Sequence, residues 1–447
     1  MLAAMSVSRR RFLTLSGGLA ATAVGVTACG SNTGRPAAGS SSSDSGSASG
    51  SASASASGSA GGGAKPQLSQ WYHQYGEKGT EEAVKRYAAA YDKATVTVKW
   101  NPGQYEKLVA AALLTSKVPD VFEYGNGPTL DMIKAGQVLD LTDTVGAAKS
   151  QFVPSVIAPM IYQDKVWAIP QTFDMQLLYY RKSVLSKAGV KPPTTLAELI
   201  DAANAVQTKD MGGFFAGNDG GIGVLGNLFI WAAGFGYFND GTTGIGFADP
   251  AMYDGLKQYA SFASDKGLLQ SASADWAVPD AFINGETAMQ WTGLWNLTQI
   301  QDALKDDFGV LPFPAIGSHG RQAVPTGAFS AVVSAKGADP EAAKAFVKWL
   351  WIDKEDFQVD FSNSYGTHIP AKTALAAKAD KLASGAGAEA AKFAAKFGHG
   401  PSLLWTPATA EAYNGALNNI IKKKANPQTE LAKVAAKAKQ ELVRAKS

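Results

Sequence analysis

Two hydrophobic periods succeed each other along this chain. Val84, Tyr87, Ala88 and Tyr91 recur at three- and four-residue spacing, one buried stripe of a helix beginning at Thr80. Glu81 and Glu82 fall in its first turn, where the helix dipole favours negative charge. Val96, Val98 and Trp100 then alternate with polar residues, as in a strand, and a short aromatic-rich stretch over 68–75 precedes both. The pair of signals returns downstream. Thr195-Leu196-Ala197-Glu198, after Pro192-Pro193, has the spacing of a capping box, and Leu196, Leu199, Ile200 and Ala203 supply the apolar face behind it. Asp339-Pro340 opens another helix, with Ala343, Phe346, Val347 and Leu350 pointing inward. Strand and helix signals in alternation predict an α/β architecture with mixed or parallel sheets. No internal repeat and no heptad pattern is present.

The N-terminus carries a different message. Ser8-Arg9-Arg10-Arg11-Phe12-Leu13 has the look of a twin-arginine export pattern, and the run to Ala28 is too short and too rich in Gly, Ala and Thr to span a bilayer. Val26-Thr27-Ala28-Cys29 is similar to a bacterial lipobox, so residues 1–28 read as a signal peptide and Cys29, the single cysteine, as the site of lipid attachment. The mature chain is then expected to be anchored to the outer face of a cell membrane through that lipid, without a transmembrane helix. Residues 29–65 are almost wholly Ser, Gly and Ala and cannot bury enough surface to fold. Such a coil of about 36 residues reaches roughly 30–35 Å on average and about 120 Å at full extension, a tether that lets a domain stand off the membrane.

The remaining stretch of roughly 380 residues is too long for one small core and predicts two lobes. With 46% hydrophobic and 18% charged residues it is an ordered globular sequence. A net charge of +3 does not call for nucleic acid, and the lysines at 422–424 and at 433, 437 and 439 read as a solvated helix face. After the signal, arginine is confined to Arg35, Arg86, Arg181, Arg321 and Arg444, which disfavours a strongly anionic ligand because Arg is the usual bidentate clamp for carboxylate and phosphate.

Catalytic and cofactor motifs mostly fail. Gly221-Ile222-Gly223-Val224-Leu225-Gly226 matches G-x-G-x-x-G by letter, but it lies in a Gly-rich stretch with no clear strand before it and reads as a loop. No Walker A motif occurs. His73, His319, His368 and His399 lack zinc-site spacing, and no G-x-S-x-G elbow is found. No cofactor, no metal and no enzyme activity is expected. Paired carboxylates meet only in space, so an exported, membrane-anchored glycoside hydrolase stays open as the alternative.

A series of segments, in order, resembles the extracellular solute-binding proteins of bacterial ABC sugar importers, family 1, of the maltose-binding-protein type. These are Pro119-Asp120-Val121-Phe122-Glu123-Tyr124-Gly125-Asn126; Gly136-Gln137-Val138-Leu139-Asp140-Leu141; Val166-Trp167-Ala168-Ile169-Pro170; and Leu178-Tyr179-Tyr180-Arg181-Lys182, where Arg181 departs from the usual Asn. Ala188-Gly189-Val190 leads into the Pro-Pro-Thr-Thr helix start. Ala281-Phe282-Ile283-Asn284-Gly285-Glu286-Thr287-Ala288-Met289 leads to Gly293-Leu294-Trp295, and Phe308-Gly309-Val310-Leu311-Pro312 and Gly366-Thr367-His368-Ile369-Pro370 complete the series. Together they cover essentially the whole folded region.

The resemblance implies a two-lobed periplasmic-binding-protein-like α/β fold with a hinge and a central ligand cleft. One lobe would hold 66–172 plus 328–358 and the other 173–327 plus 359–447, with crossings near 171–174, 326–329 and 357–361. It implies a monomeric receptor that captures a neutral di- or oligosaccharide and delivers it to an ABC permease and its ATPase subunits; a non-sugar ligand is the variant of this reading. A sugar offers an apolar face and a rim of hydroxyls, so its site needs flat aromatics beside groups that donate and accept. Matched motif by motif, Tyr124 and Trp295 fall at stacking positions, Asn126 lies beside the first of them, and Asp174 at a carboxylate near the hinge. His73 and Tyr75 stand in the first loop where maltose binders carry an amide and an acid, which argues against maltose itself. Trp291 and His368 join the candidate set, with Trp405 or Tyr413 as the aromatic of the last segment. Trp71, Trp100, Trp231 and Trp349 lie within strand or helix patterns and read as core.

Overall fold

The computed structural model describes residues 64–446 apart from Gly76 and Ala377. The expected signal peptide, Cys29 and nearly all of the tether lie outside these residues.

Parallel strands need a crossover between them, and the first half of the molecule is built that way. Strands β1 (Gln67–His73), β2 (Thr95–Asn101) and β3 (Val121–Gly125) are parallel, β1 in the middle, with helix α1 (Thr80–Ala89) carrying the chain from β1 to β2. Then come β4 (Ile169–Tyr180), β5 (Gly212–Phe215), β6 (Leu268–Leu269), β7 (Thr287–Gly293), β8 (Gly309–Leu311), β9 (Val324–Val333), β10 (Ile369–Pro370) and β11 (Gly398–His399). Among the described residues these eleven strands form one mixed sheet in the order β2-β1-β3-β9-β4-β7-β5-β6, with β8 and β10 also on β4 and β11 on β9.

β4 holds the two halves together. From Ile169 to Met175 it pairs antiparallel with β9, and from Gln176 to Tyr180 it pairs antiparallel with β7. A single strand thus changes its main partner between Met175 and Gln176. Two apolar cores lie on the sheet. Val84, Tyr87, Phe122, Phe346, Leu350 and Trp351 belong to the first, which continues past the partner change through Leu177, Tyr179 and Leu294. Leu196, Leu199, Phe214, Leu225, Phe229, Trp291 and Tyr413 belong to the second.

The local signals appear where the patterning puts them. Helix α1 buries Val84, Tyr87 and Ala88, and Tyr91 is buried just past its end. Val96, Val98 and Trp100 are half-buried and alternate with exposed residues, as suits the edge strand β2. The capping box forms in both directions: Glu198 N–H donates to Thr195 Oγ1 at 3.2 Å and Thr195 N–H to Glu198 Oε2 at 3.1 Å. The helix opened by Asp339-Pro340 runs to Lys348 and passes into a π turn over Trp349–Asp353 that buries Leu350, Trp351 and Ile352. In the last helix, Pro427–Lys446, Leu431, Val434, Ala438 and Leu442 face inward, while Lys433 and Lys437 pair with Glu430 and Glu441.

One expectation is corrected. The stretch from Gly221 to Gly226 is not a loop; a helix spans Ile222–Ala232, and a strand, β5, precedes it. Gly221 stands ahead of the helix at φ +85°, which glycine adopts without strain, and Leu225, Leu228 and Phe229 are fully buried. The Asp219 carboxylate accepts from the N–H groups of Gly221 and Gly223 at 2.9 and 2.8 Å. A helix start rather than a dinucleotide turn results, because a side chain of the protein meets donors that an anion would otherwise take.

Candidate ligand-binding cleft

A cleft of about 1130 Å³ opens where β4 changes partners. Its floor is Thr172, Asp174, Met175 and Gln176 of β4 with Thr326, Gly327 and Phe329 of β9. One wall comes from the carboxyl end of β1 and the turn after it, His73, Tyr75 and Glu77; the other from Asp219 beyond β5 and from Trp295 and Asn296 beyond β7. The carboxyl ends of parallel strands leave main chain free to turn away from the sheet, so crevices form there.

Three carboxylates are organised by histidine. His368, beside β10, places Nδ1 2.8 and 2.9 Å from the two oxygens of Asp174 and Nε2 3.3 Å from Glu77 Oε1. Burial opposes charge on this ring, yet the flanking Asp174 and Glu77 prevail and lift its pKa to about 10, so it is an imidazolium at neutral pH. Burial likewise pushes Glu77 up, but His368 outweighs it and holds the carboxyl below its ordinary value. Glu123 is the third. It is buried behind the wall, where Oε2 lies 2.7 Å from His73 Nδ1 and Oε1 accepts from the Tyr75 hydroxyl at 2.5 Å. The His73 ring stacks on Phe329 at 4.1 Å and lies 3.9 Å from the ring of Tyr75. On the far side Lys381 Nζ donates to the Gly366 carbonyl at 2.8 Å, and burial lowers its pKa against the pull of Asp302.

Six of the sequence candidates come together in this lining: His73, Tyr75, Asn126, Asp174, Trp295 and His368. Asn126 sits at φ +60°, with its side-chain oxygen accepting from Ala328 N–H at 3.0 Å, so it also ties β3 to β9. The other four lie elsewhere. Tyr124 is buried within β3, its neighbour Glu123 and carbonyl tied to the sheet, and Trp291 is fully enclosed in β7 with Nε1 donating to Gln176 Oε1 at 2.9 Å. Trp405 stacks on Tyr237 at 4.7 Å, and the Tyr413 hydroxyl donates to the Gly226 carbonyl, so both belong to the second core.

Several lining residues were not singled out from sequence. Trp231, read as core, is largely buried and stacks on His399 at 5.1 Å and 11°, yet it also faces the cleft. Trp276 sits in a segment without periodicity and meets Trp295 edge-on at 6.2 Å. Glu77, Gln176, Asp219 and Tyr365 complete the polar rim. Only the position of Gln176, two residues past Asp174 on one strand face, offered a signal for any of them.

The sequence profile of the bacterial extracellular solute-binding proteins matches residues 77–351. The chain belongs to that family. This solute-binding protein is 27% identical over 314 residues to the diacetylchitobiose binding protein DasA of Streptomyces coelicolor, covering 68% of this chain and 72% of DasA. It is 24% identical over 331 residues to the maltodextrin-binding protein MdxE of Bacillus subtilis, covering 68% and 74% of the two chains. Its fold is that of the GacH receptor of Streptomyces glaucescens, at a TM-score of 0.71 and 21% identity over 85% of this chain and 99% of that one. A solute-binding protein from Thermotoga lettingae with bound α-D-tagatose superposes with a TM-score of 0.70 at 19% identity, over 85% and 100% of the two chains. The two-lobed α/β architecture with its central cleft is thus the solute-binding fold, and the family places such proteins outside the cytoplasm. No helix among the described residues is long and apolar enough to cross a membrane.

Proposed function

We propose that this solute-binding protein is the receptor of an ABC importer, capturing a di- or oligosaccharide in the cleft at β4 and presenting it to a membrane permease with its ATPases. The observation that carries this reading is the composition of the cleft. Trp231, Trp276 and Trp295 lie on one side and Tyr75 on the other of a floor bearing Asp174 and Gln176, with Asn126 also in the lining, so flat apolar faces stand beside polar side chains. A volume of about 1130 Å³ leaves room for more than one sugar ring. The relatives named for diacetylchitobiose and maltodextrin point to the same ligand class. The lobes would meet at the β4 partner change and at β9, closing because ligand binds the closed state better than the open one. The lipobox reading of Cys29 supplies the anchor, and the receptor works as a monomer.

Glu77 and Asp174 both contact the ring of His368, which holds the Glu77 carboxyl below its ordinary value, the opposite of the raised acid a glycosidase needs. Thermal unfolding with maltose, maltotriose, cellobiose, mannobiose, diacetylchitobiose and a phosphorylated sugar, with product analysis of each sample, tests the reading. A saccharide-specific rise in midpoint with the sugar recovered intact supports it. Cleavage of the sugar establishes the hydrolase instead, and stabilisation by the phosphorylated sugar alone removes the carbohydrate assignment.

A further inference from the structure

His73 lines the cleft at 1% exposure, and its Nε2 has no hydrogen-bond partner among the described residues. Buried polar atoms are almost always paired, so an orphan in a binding cleft calls for a ligand. The surroundings define what kind. Glu123 receives the His73 backbone N–H at 3.2 Å, the ring Nδ1 at 2.7 Å and the Tyr75 hydroxyl at 2.5 Å. The Gln171 amide, oriented with its nitrogen toward the carboxylate, adds a donor at 2.8 Å while its oxygen accepts from Trp351 Nε1 at 3.2 Å. A carboxylate accepting from all sides has no proton to give, so Nδ1 carries the hydrogen and, in the neutral ring, Nε2 is left as the lone-pair nitrogen. Phe329 and Tyr75 cover the ring faces and Glu123 holds one edge from behind the wall. Nε2 lies on the ring edge away from the Glu123 contact, in a residue that lines the cleft, and the ring is held against turning away.

We propose, resting on the carbohydrate reading above, that His73 is a specificity-determining residue: its Nε2 accepts a hydrogen bond from a hydroxyl or N–H of the bound saccharide. Glu123 is the positioning residue that sets the accepting tautomer. A site built to receive a donor discriminates against an analogue that lacks one, because the buried acceptor is then left unpaired. The Tyr75 hydroxyl plays no such part, since it is engaged by Glu123, and Tyr75 offers its ring instead.

The test uses the full chain with ¹⁵N-labelled histidine and the same saccharide panel. In the free wild-type protein the His73 Nε2 resonance is expected at the position of an unprotonated ring nitrogen, and it should shift toward the hydrogen-bonded position when the stabilising saccharide is added. Glu123→Gln, whose amide can donate to Nδ1, should move the proton to Nε2, and His73→Phe should weaken saccharide binding by about ten-fold or more while keeping the ring stack on Phe329. A proton on Nε2 in the free wild type overturns the proposal, as does a saccharide that binds without moving the Nε2 signal; both leave the carbohydrate reading standing. Binding of none of the panel overturns both. The wild-type spectrum decides even where a variant fails to fold.

Discussion

Asp174 and His368 lie 194 positions apart in the chain, yet His368 Nδ1 is within 2.9 Å of both carboxylate oxygens of Asp174. The pair joins β4, next to its change of partner, to the segment that returns beside it as β10, where Ile369 pairs with Phe173. Glu77, on the turn after β1, closes the cluster from the opposite side of the ring. A charged hydrogen-bonded unit therefore pins three distant parts of the chain at the floor of the cleft.

The pH dependence of stability follows from this unit. The ring titrates near its ordinary 6.5 when unfolded and at about 10 when folded, so the folded state holds the proton more tightly. Its stabilisation is fully present below pH 6.5 and is lost progressively as pH rises to about 10. Glu77, depressed below 4.5, acts oppositely: its share is present above pH 4.5 and is lost as pH falls through the lowered value. Unfolding midpoints should decline on the alkaline side in the wild type, and His368→Gln should flatten that decline.

Removing one partner exposes the cost of the buried charge. Asp174→Leu leaves the imidazolium with Glu77 alone and is expected to lower stability by about 3 kcal/mol, the scale of a broken buried ion pair. Denaturant titration at neutral pH, where the ring is charged, measures it. A loss below 1 kcal/mol would mean that Glu77 suffices.

Trp291 and Trp295 are four residues apart and should respond oppositely. Trp291 is fully buried, so Trp291→Ala should cost about 3–5 kcal/mol of stability whether or not ligand is present. Trp295 is half-buried in the cleft lining, with Nε1 donating to the Ala277 carbonyl at 2.9 Å. Trp295→Ala should weaken saccharide binding by about ten-fold or more while lowering ligand-free stability less than the Trp291 change. Calorimetric titration beside unfolding midpoints separates the two.

Gly293 sets the position of Trp295. A Cβ there would meet the indole ring at 2.1–2.2 Å, closer than atoms approach without displacement. Gly293→Ala is therefore expected to push the ring from its place and reproduce much of the binding loss of Trp295→Ala, with crystal structures of the variant showing the shift.

Asp219, two residues ahead of the N-cap Gly221, accepts from the Gly221 and Gly223 N–H groups at the start of the helix over Ile222–Ala232. Asp219→Ala should cost about 1 kcal/mol, the scale of losing a side-chain acceptor for N–H groups at a helix start, and Asp219→Asn should recover part of it. Unfolding midpoints of the two variants check the order.

Elements written within a few residues were legible without coordinates. The capping box at Thr195 and Glu198, the stripe of Val84, Tyr87 and Ala88, and the alternation of Val96, Val98 and Trp100 each report a local choice of backbone, and each appears in the fold. Motif order also brought His73, Tyr75, Asn126, Asp174, Trp295 and His368 into view, and these share one cleft. The division between Trp291, enclosed, and Trp295, in the cleft, was not legible, because β7 is buried along its whole length and alternation carries no contrast there. Trp231 and Trp276 were missed for a related reason. A helical pattern says which side of Trp231 meets the protein but not that a cleft borders it, and Trp276 has no pattern at all. Whether a side chain ends in a core or in a cleft is settled by what the other lobe leaves uncovered. That depends on contacts such as Asp174 with His368, made across 194 positions of chain, which no local period encodes.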